Sequence, residues 1–198
     1  MYHASNVDLK VGDYLIPNPK RGRLYATKEK YQCLVFGRNS ESLRDMTSMI
    51  NTLQLKNAES GIEYVEHFPG IFEKEFKNKS AYIYEVEDDG FVQGQWTVEY
   101  FKTEKAKIIK KYKVKDLCEE ILKFQKRGKI KVEYYTETKQ HVEKVINHIS
   151  QMLGYGFPID EFIKLAKDYG AITVEKYFKG LKRLRNSTLD LLPEKDCK

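Results

Sequence analysis

The spacing of apolar positions changes along the chain, and the change divides it. From "SAYIYEVED" through "QWTVEYF" to "KAKIIKKYKV", aromatic and β-branched residues alternate with polar ones, the pattern of half-buried strands, and Tyr82, Tyr84 and Val86 share one face of the first. "MYHAS" and "RLYA" read as strands, "VGDYLIPNPKRGR" as a strand end entering a Pro/Gly-punctuated loop, and "GIEYVEHF" as a further alternating strand. Between them a helix is predicted over "KEKYQCLVFG", with Thr27 as its cap, Glu29 in its first turn, Gly37 at its end, and Tyr31, Leu34 and Val35 on one face. A second helix is predicted over "SESLRDMTSMINTLQL", where Leu43, Met46, Met49, Ile50 and Leu53 fall at helical intervals; "GIFEKEFKN" reads as a short helix or turn.

From Asp116 the period becomes predominantly helical. "DLCEEILKFQKRG" is an amphipathic helix ending at Gly128, and "KIKVEYY" is a strand. "ETKQHVEKVINHISQML" is a longer helix with Val142, Val145, Ile146, Ile149 and Leu153 as its stripe. "GYGFP" interrupts it, "IDEFIKLAKDYGAITVEKYFKGLKRLR" gives one or two more helices, and the last ten residues or so read as a frayed end. The boundary near residue 137 separates a strand-rich α+β part, 1–137, from a helical C-terminal extension, 138–198, with no internal repeat.

A chain of 198 residues is long enough to bury roughly 70% of its unfolded surface. Its 41% hydrophobic and 32% charged residues fit a globular body with a heavily charged exterior rather than a disordered chain. Cys33, Cys118 and Cys197 lack metal-ligand spacing, and an odd number argues against a disulfide framework. There is no signal-like leader and no apolar run near the ~20 residues that span a bilayer, so the expectation is a soluble, cytoplasmic protein with no membrane partner. The net charge of +6 is unevenly placed. Lys102 to Ile130 holds eleven basic residues against four acidic ones, with Phe101, Tyr112 and Phe124 close by. Such a segment is either a solvated face or a patch for an anionic partner, nucleic acid included.

The common catalytic signatures are absent: no phosphate-binding glycine loop, no G-x-S-x-G, no H-E-x-x-H and no paired C-x-x-C. His141 and His148, two turns apart on one helix, sit about 10 Å from each other, too far to share a metal ion, and read as a surface or helix-packing pair. His67, next to Pro69 and Gly70, reads as a loop residue, and no metal site is expected.

Three segments remain, in order: "YHAS" with His3, "RLYATKEK" with Tyr25, and "WTVEYF" with Glu99. Over residues 1 to 115 or so the chain resembles the His-Tyr-Glu branch of the ADP-ribosyltransferase-like superfamily. There "Y-H-[AGT]-[ST]" opens the fold, a "Y-x-A-[ST]"-like motif marks a strand running into a helix, and "E-Y/F-apolar" begins a late strand. The resemblance implies a split two-sheet β core forming a cleft with flanking helices. It implies NAD as a substrate, held by His3, Ala4, Ser5, Tyr25 and Tyr31, with Glu99, His3 and Tyr25 as the catalytic set. In that reading Glu99 stabilises the positive charge that develops on the ribose as nicotinamide leaves, His3 holds the other ribose, and Tyr25, or Tyr31 in its place, stacks on nicotinamide. The acceptor is an unidentified protein, nucleic acid or small molecule. Thr97 stands where arginine-directed members carry Glu or Gln, and the Ser-Thr-Ser motif of the toxin-like branch is absent, so arginine is not implied as the acceptor.

Each of these residues also has a structural reading: His3 as a strand residue bonded to a backbone carbonyl, Tyr25 as a core aromatic, Glu99 as a solvent-facing strand residue. Two other functions therefore stand beside the first. One is a non-catalytic basic module of similar fold that binds nucleic acid or an acidic protein; the other is an RNA phosphate-transfer enzyme with a basic pocket in place of the glutamate.

Overall fold

Antiparallel ladders organise most of the first 115 residues, and the helices gather after them. The structure is a computed structural model that describes residues 1–38, 44–55, 60–94 and 98–189. Strands β1 (Tyr2–Ser5), β2 (Tyr14–Leu15) and β3 (Leu24–Thr27) lead to a 3₁₀ turn (Leu34–Phe36), a single helical turn α1 (Arg44–Thr47), and strands β4 (Ser48–Gln54) and β5 (Ser60–Glu66). Then come α2 (Ile71–Phe76), β6 (Ala81–Val86), β7 (Val92–Gln93), β8 (Glu99–Lys102), β9 (Ala106–Val114), α3 (Leu117–Lys126) and β10 (Ile130–Glu133). The chain continues with α4 (Lys139–Gly154), α5 (Ile159–Asp168) and α6 (Ile172–Leu189). The result is a mixed α+β molecule with a seven-stranded sheet ordered β2-β9-β6-β1-β3-β8-β7 and a three-stranded sheet ordered β10-β5-β4.

The larger sheet is weakly joined at its middle. On one side of β1 four residues pair with β6, from Tyr2 opposite Glu85 to Ser5 opposite Tyr82. On the other side a single pair, Tyr2 opposite Thr27, links β1 to β3, after which the strands part. Tyr2, Ala4, Ile83 and Tyr112 turn one sheet face toward a core shared with Tyr31, Leu34, Val35, Phe72, Phe76 and α3. The opposite face buries Leu15, Leu24, Tyr84, Val86 and Ile108. There the Tyr84 hydroxyl accepts from the Leu9 amide at 2.7 Å and donates to the Val7 carbonyl at 2.6 Å, pinning the loop that follows β1.

A third core joins α4, α5 and α6 to Met46, Phe68 and Ile71 at the end of the smaller sheet. Its stripe contains Val142, Val145 and Ile149 as periodicity predicts, with Ile146 and Leu153 at its margin. The helical region is thus packed on the strand-rich part through a common interior.

Both helices expected between Thr27 and Leu55 are corrected by the structure. At 28–37 the chain makes turns and the 3₁₀ segment. The Thr27 hydroxyl donates to the Glu29 carbonyl (3.0 Å) instead of capping a helix, and the Glu29 amide donates to the Gln32 side chain (3.2 Å), local bonds that compete with an α-helical ladder. At 48–54 the expected helix is β4, paired along its length with β5 from Ser48 opposite Glu66 to Gln54 opposite Ser60. Met49 and Leu53 fit both periods while Ile50 fits only the helical one, and cross-strand pairing decides between them. Leu43 lies outside the described residues, as do Trp96, Thr97, Cys197 and the frayed end expected after 189; β8 begins at Glu99 and the short β7 precedes it.

Candidate functional site

Strands β1, β3 and β8 are neighbours in the larger sheet, so His3, Tyr25 and Glu99, scattered over nearly a hundred positions, come to adjacent strands at its parting seam. The His3 imidazole fills the gap that opens beyond Tyr2 and Thr27, with Nδ1 2.6 Å from the Tyr25 carbonyl oxygen, so the ring nitrogen takes the place of a missing ladder amide. Glu99 is the first residue of β8 and stands opposite Thr27, while Tyr25 stands opposite Phe101. Their rings are 6.4 Å apart, and the Arg23 guanidinium lies 4.3 Å over Phe101. His3, Ala4, Ser5, Tyr25 and Glu99 are all half-buried.

Register alternation also separates them. Glu99, Thr27, Tyr2, Glu85 and Lys110 are successive cross-strand partners, so their side chains share one face across five strands. Tyr25 and Phe101 belong to that face. His3 follows Tyr2 and therefore leaves β1 on the opposite face, with Ser5, before its ring turns into the seam. Ser5 Oγ accepts from the Val7 amide at 3.1 Å. Ala4 packs against the first core, where a Cβ added at Gly37 would lie 3.4 Å from it. Tyr31 is in that core as well, 6% exposed, its ring against Phe124 and its hydroxyl donating to the Ser60 carbonyl at 2.8 Å. This ring is held inside the fold, whereas Tyr25 is at the seam.

A second polar constellation, at the joint between the smaller sheet and α4, was not anticipated as a unit. His67, expected in a loop, is fully buried: Nδ1 donates to the Met46 carbonyl at 2.9 Å, which leaves Nε2 to accept from His148 Nδ1 at 3.0 Å. Burial and the neighbouring His148 hold the His67 pKa down at about 3. His141 is buried with its two nitrogens against the Glu66 carbonyl (2.9 Å) and the Glu133 carboxylate (3.1 Å). The Glu66 carboxylate accepts from the amides of Phe72 (2.6 Å) and Tyr135 (2.8 Å). Glu75 is buried against Arg38 and also accepts from Thr47 (2.5 Å) and Tyr64 (2.9 Å). The signal for this joint was present in "GIEYVEHF", where apolar residues occupy both strand faces, so that the polar ones must be buried too.

Burial pushes the Cys33 thiol up to about 12, so it is not a thiolate at neutral pH. Among the described residues no three His, Cys, Asp or Glu side chains gather as a metal site, and no helix is long and apolar enough to cross a membrane. What the seam offers is a carboxylate, an imidazole, a serine hydroxyl and two aromatic rings, groups suited to the hydroxyls and flat rings of a nucleotide. No family model, curated protein or solved structure matches this chain.

Proposed function

We propose that the chain is an ADP-ribosyltransferase-like protein that binds NAD across the seam and transfers ADP-ribose to an acceptor, releasing nicotinamide. The observation that supports this most is the adjacency of β1, β3 and β8, which gathers His3, Tyr25 and Glu99 where the larger sheet parts. In this reading the bond from ribose C1′ to the nicotinamide nitrogen breaks and its electron pair leaves with nicotinamide. The acceptor then attacks C1′ and gives up its proton to solvent. Glu99, half-buried at the head of β8, faces the positive charge that develops at the sugar and hydrogen-bonds its hydroxyl. Tyr25 and Phe101, on the Glu99 face, supply the flat surface for a ring. His3 leaves β1 on the opposite face and its ring lies in the seam on the Tyr25 carbonyl, so in this reading it must give up that bond to hold the ligand.

That requirement also favours a second reading, a non-catalytic module of similar fold, because a carboxylate and an imidazole on opposite faces can hold a ligand without attacking it together. Incubation with NAD labelled in its adenylate phosphate, alone and with cell lysate, separates the two. Nicotinamide release and a labelled acceptor, both reduced about 10²- to 10³-fold in Glu99→Gln with an unchanged melting temperature, are expected for the transferase. Binding of NAD without turnover leaves the module; neither binding nor turnover overturns both seam readings.

A further inference from the structure

The cross-strand line from Glu99 through Thr27, Tyr2 and Glu85 ends at Lys110 on β9, and β9 carries much of the chain's basic excess next to the edge of the larger sheet, with only the two-residue β2 outside it. On this face the pairing of Tyr14 with Lys107 puts both beside that line, since their neighbours Leu15 and Ala106 point into the opposite core. Lys105 lies 4.3 Å over the Tyr14 ring and Lys30 lies 3.8 Å over the Tyr112 ring. Tyr14 is 46% exposed. Of the four lysines, Lys110 is bound by Glu85, which also takes the Tyr112 hydroxyl; Lys30, Lys105 and Lys107 have no carboxylate partner among the described residues.

We infer that the Lys107 end of this face binds single-stranded nucleic acid, with phosphates on Lys30, Lys105, Lys107 and Lys110 and a base stacked on Tyr14. Lysines, three of them without a carboxylate partner among the described residues, beside an exposed ring are what a strand with unpaired bases uses: the cations follow its backbone, and the ring takes a base of any sequence. An acidic peptide would use the charges but not the ring. Its commonest mode, adding a strand to the sheet edge, is opposed by the lysines along β9 and by the register shift at Glu85/Val86. The binding surface stands independently of the seam. Only the further step, that this strand is the acceptor brought to Glu99, rests on the proposed transferase reading.

The test uses the full chain without NAD, titrated against a fluorescein-labelled 15-nucleotide oligo-dT and read by anisotropy. Binding is expected with a logarithmic salt slope of about −3, the value for four phosphate contacts on a single strand. Lys105→Glu with Lys107→Glu should flatten that slope by about 1.4 and weaken binding at least tenfold. Tyr14→Ala should weaken it about tenfold with the slope kept, since stacking releases no counterions. Absence of salt-dependent binding, wild-type binding by the double lysine variant, or equal competition by a duplex or an oligo-glutamate peptide would each overturn the inference. Because NAD is absent, failure here leaves the seam reading untouched, and oligonucleotide binding without NAD turnover overturns only the transferase.

Discussion

The seam and the helix joint are both built from histidine, carboxylate and tyrosine, yet they treat these groups differently. At the joint His67, His141 and Glu66 are buried, the Glu75 side chain is 8% exposed, and each is hydrogen-bonded to other parts of the chain. At the seam His3, Ser5, Tyr25 and Glu99 are half-buried where two strands share a single pair. Polar groups that are enclosed and paired within the chain specify structure, and half-buried ones at a weak point of a ladder contribute less to it. Substitutions at the joint should therefore show first in stability, and substitutions at the seam first in function.

The largest effect is expected at Arg38. Removing its guanidinium leaves the buried Glu75 carboxylate without its cation, so Arg38→Ala should cost about 3–5 kcal/mol. The check is a lowered urea midpoint at unchanged m value. If the loss comes from the orphaned charge, Arg38→Met combined with Glu75→Leu should recover most of it. No recovery would mean that Arg38 acts through packing alone.

Acid should loosen the joint. His67 is held neutral in the fold, its pKa lowered from an ordinary 6.5 to about 3 by burial and by His148, with Arg38 and His141 adding to the effect. The unfolded chain therefore binds a proton that the folded chain refuses. This stabilisation is complete above pH 6.5 and shrinks by about 1.4 kcal/mol per pH unit as pH falls toward 3. The Glu63 carboxyl, which burial alone would raise, is held at about 2 by Lys131, Asn51 and Lys144, so its contribution is lost only below about 4.5. Between pH 6.5 and 4.5 the stability slope should thus be largely that of His67, and His67→Gln should flatten it.

The sequence made the seam more legible than the joint. His3, Tyr25 and Glu99 lie on short strands whose alternation and flanking turns can be read locally, and the order of motifs suggested that they meet. Which faces they occupy depended on the single Tyr2–Thr27 pair, a tertiary fact. The joint was hidden for a different reason. Met49, Ile50 and Leu53 follow the helical period better than the strand period, so β4 was hidden until β5 paired with it, and without that sheet His67 had no interior to enter. The helices after Asp116 were readable because their stripes are long and bounded by Asp116, which caps α3 by accepting from the Glu119 amide, and by the break at 154–158.

A methyl group can probe the ground between the two regions. Gly37 follows the 3₁₀ turn, and a Cβ there would sit 3.3 Å from the Ala81 Cβ and the Leu34 carbonyl and 3.4 Å from the Ala4 Cβ. Alanine side chains have no rotamer with which to move aside, so Gly37→Ala should cost about 1–3 kcal/mol by overpacking. Thermal unfolding would report it, and a neutral result would show that β1 shifts freely against the core.

The smallest effect on stability is expected at His3. Its ring bonds the Tyr25 carbonyl at a half-exposed seam, where water can replace it, and loss of that bond in His3→Ala should cost about 0.5–1.5 kcal/mol. The same change removes what bridges the strands beyond Tyr2 and Thr27. Amide exchange in β1 and β3 should therefore quicken while the β5 amides, paired on both sides, keep their protection. Uniformly faster exchange across both sheets would mean that the imidazole supports the whole fold, and the contrast between an enclosed joint and an open seam would fail at the residue on which it most depends.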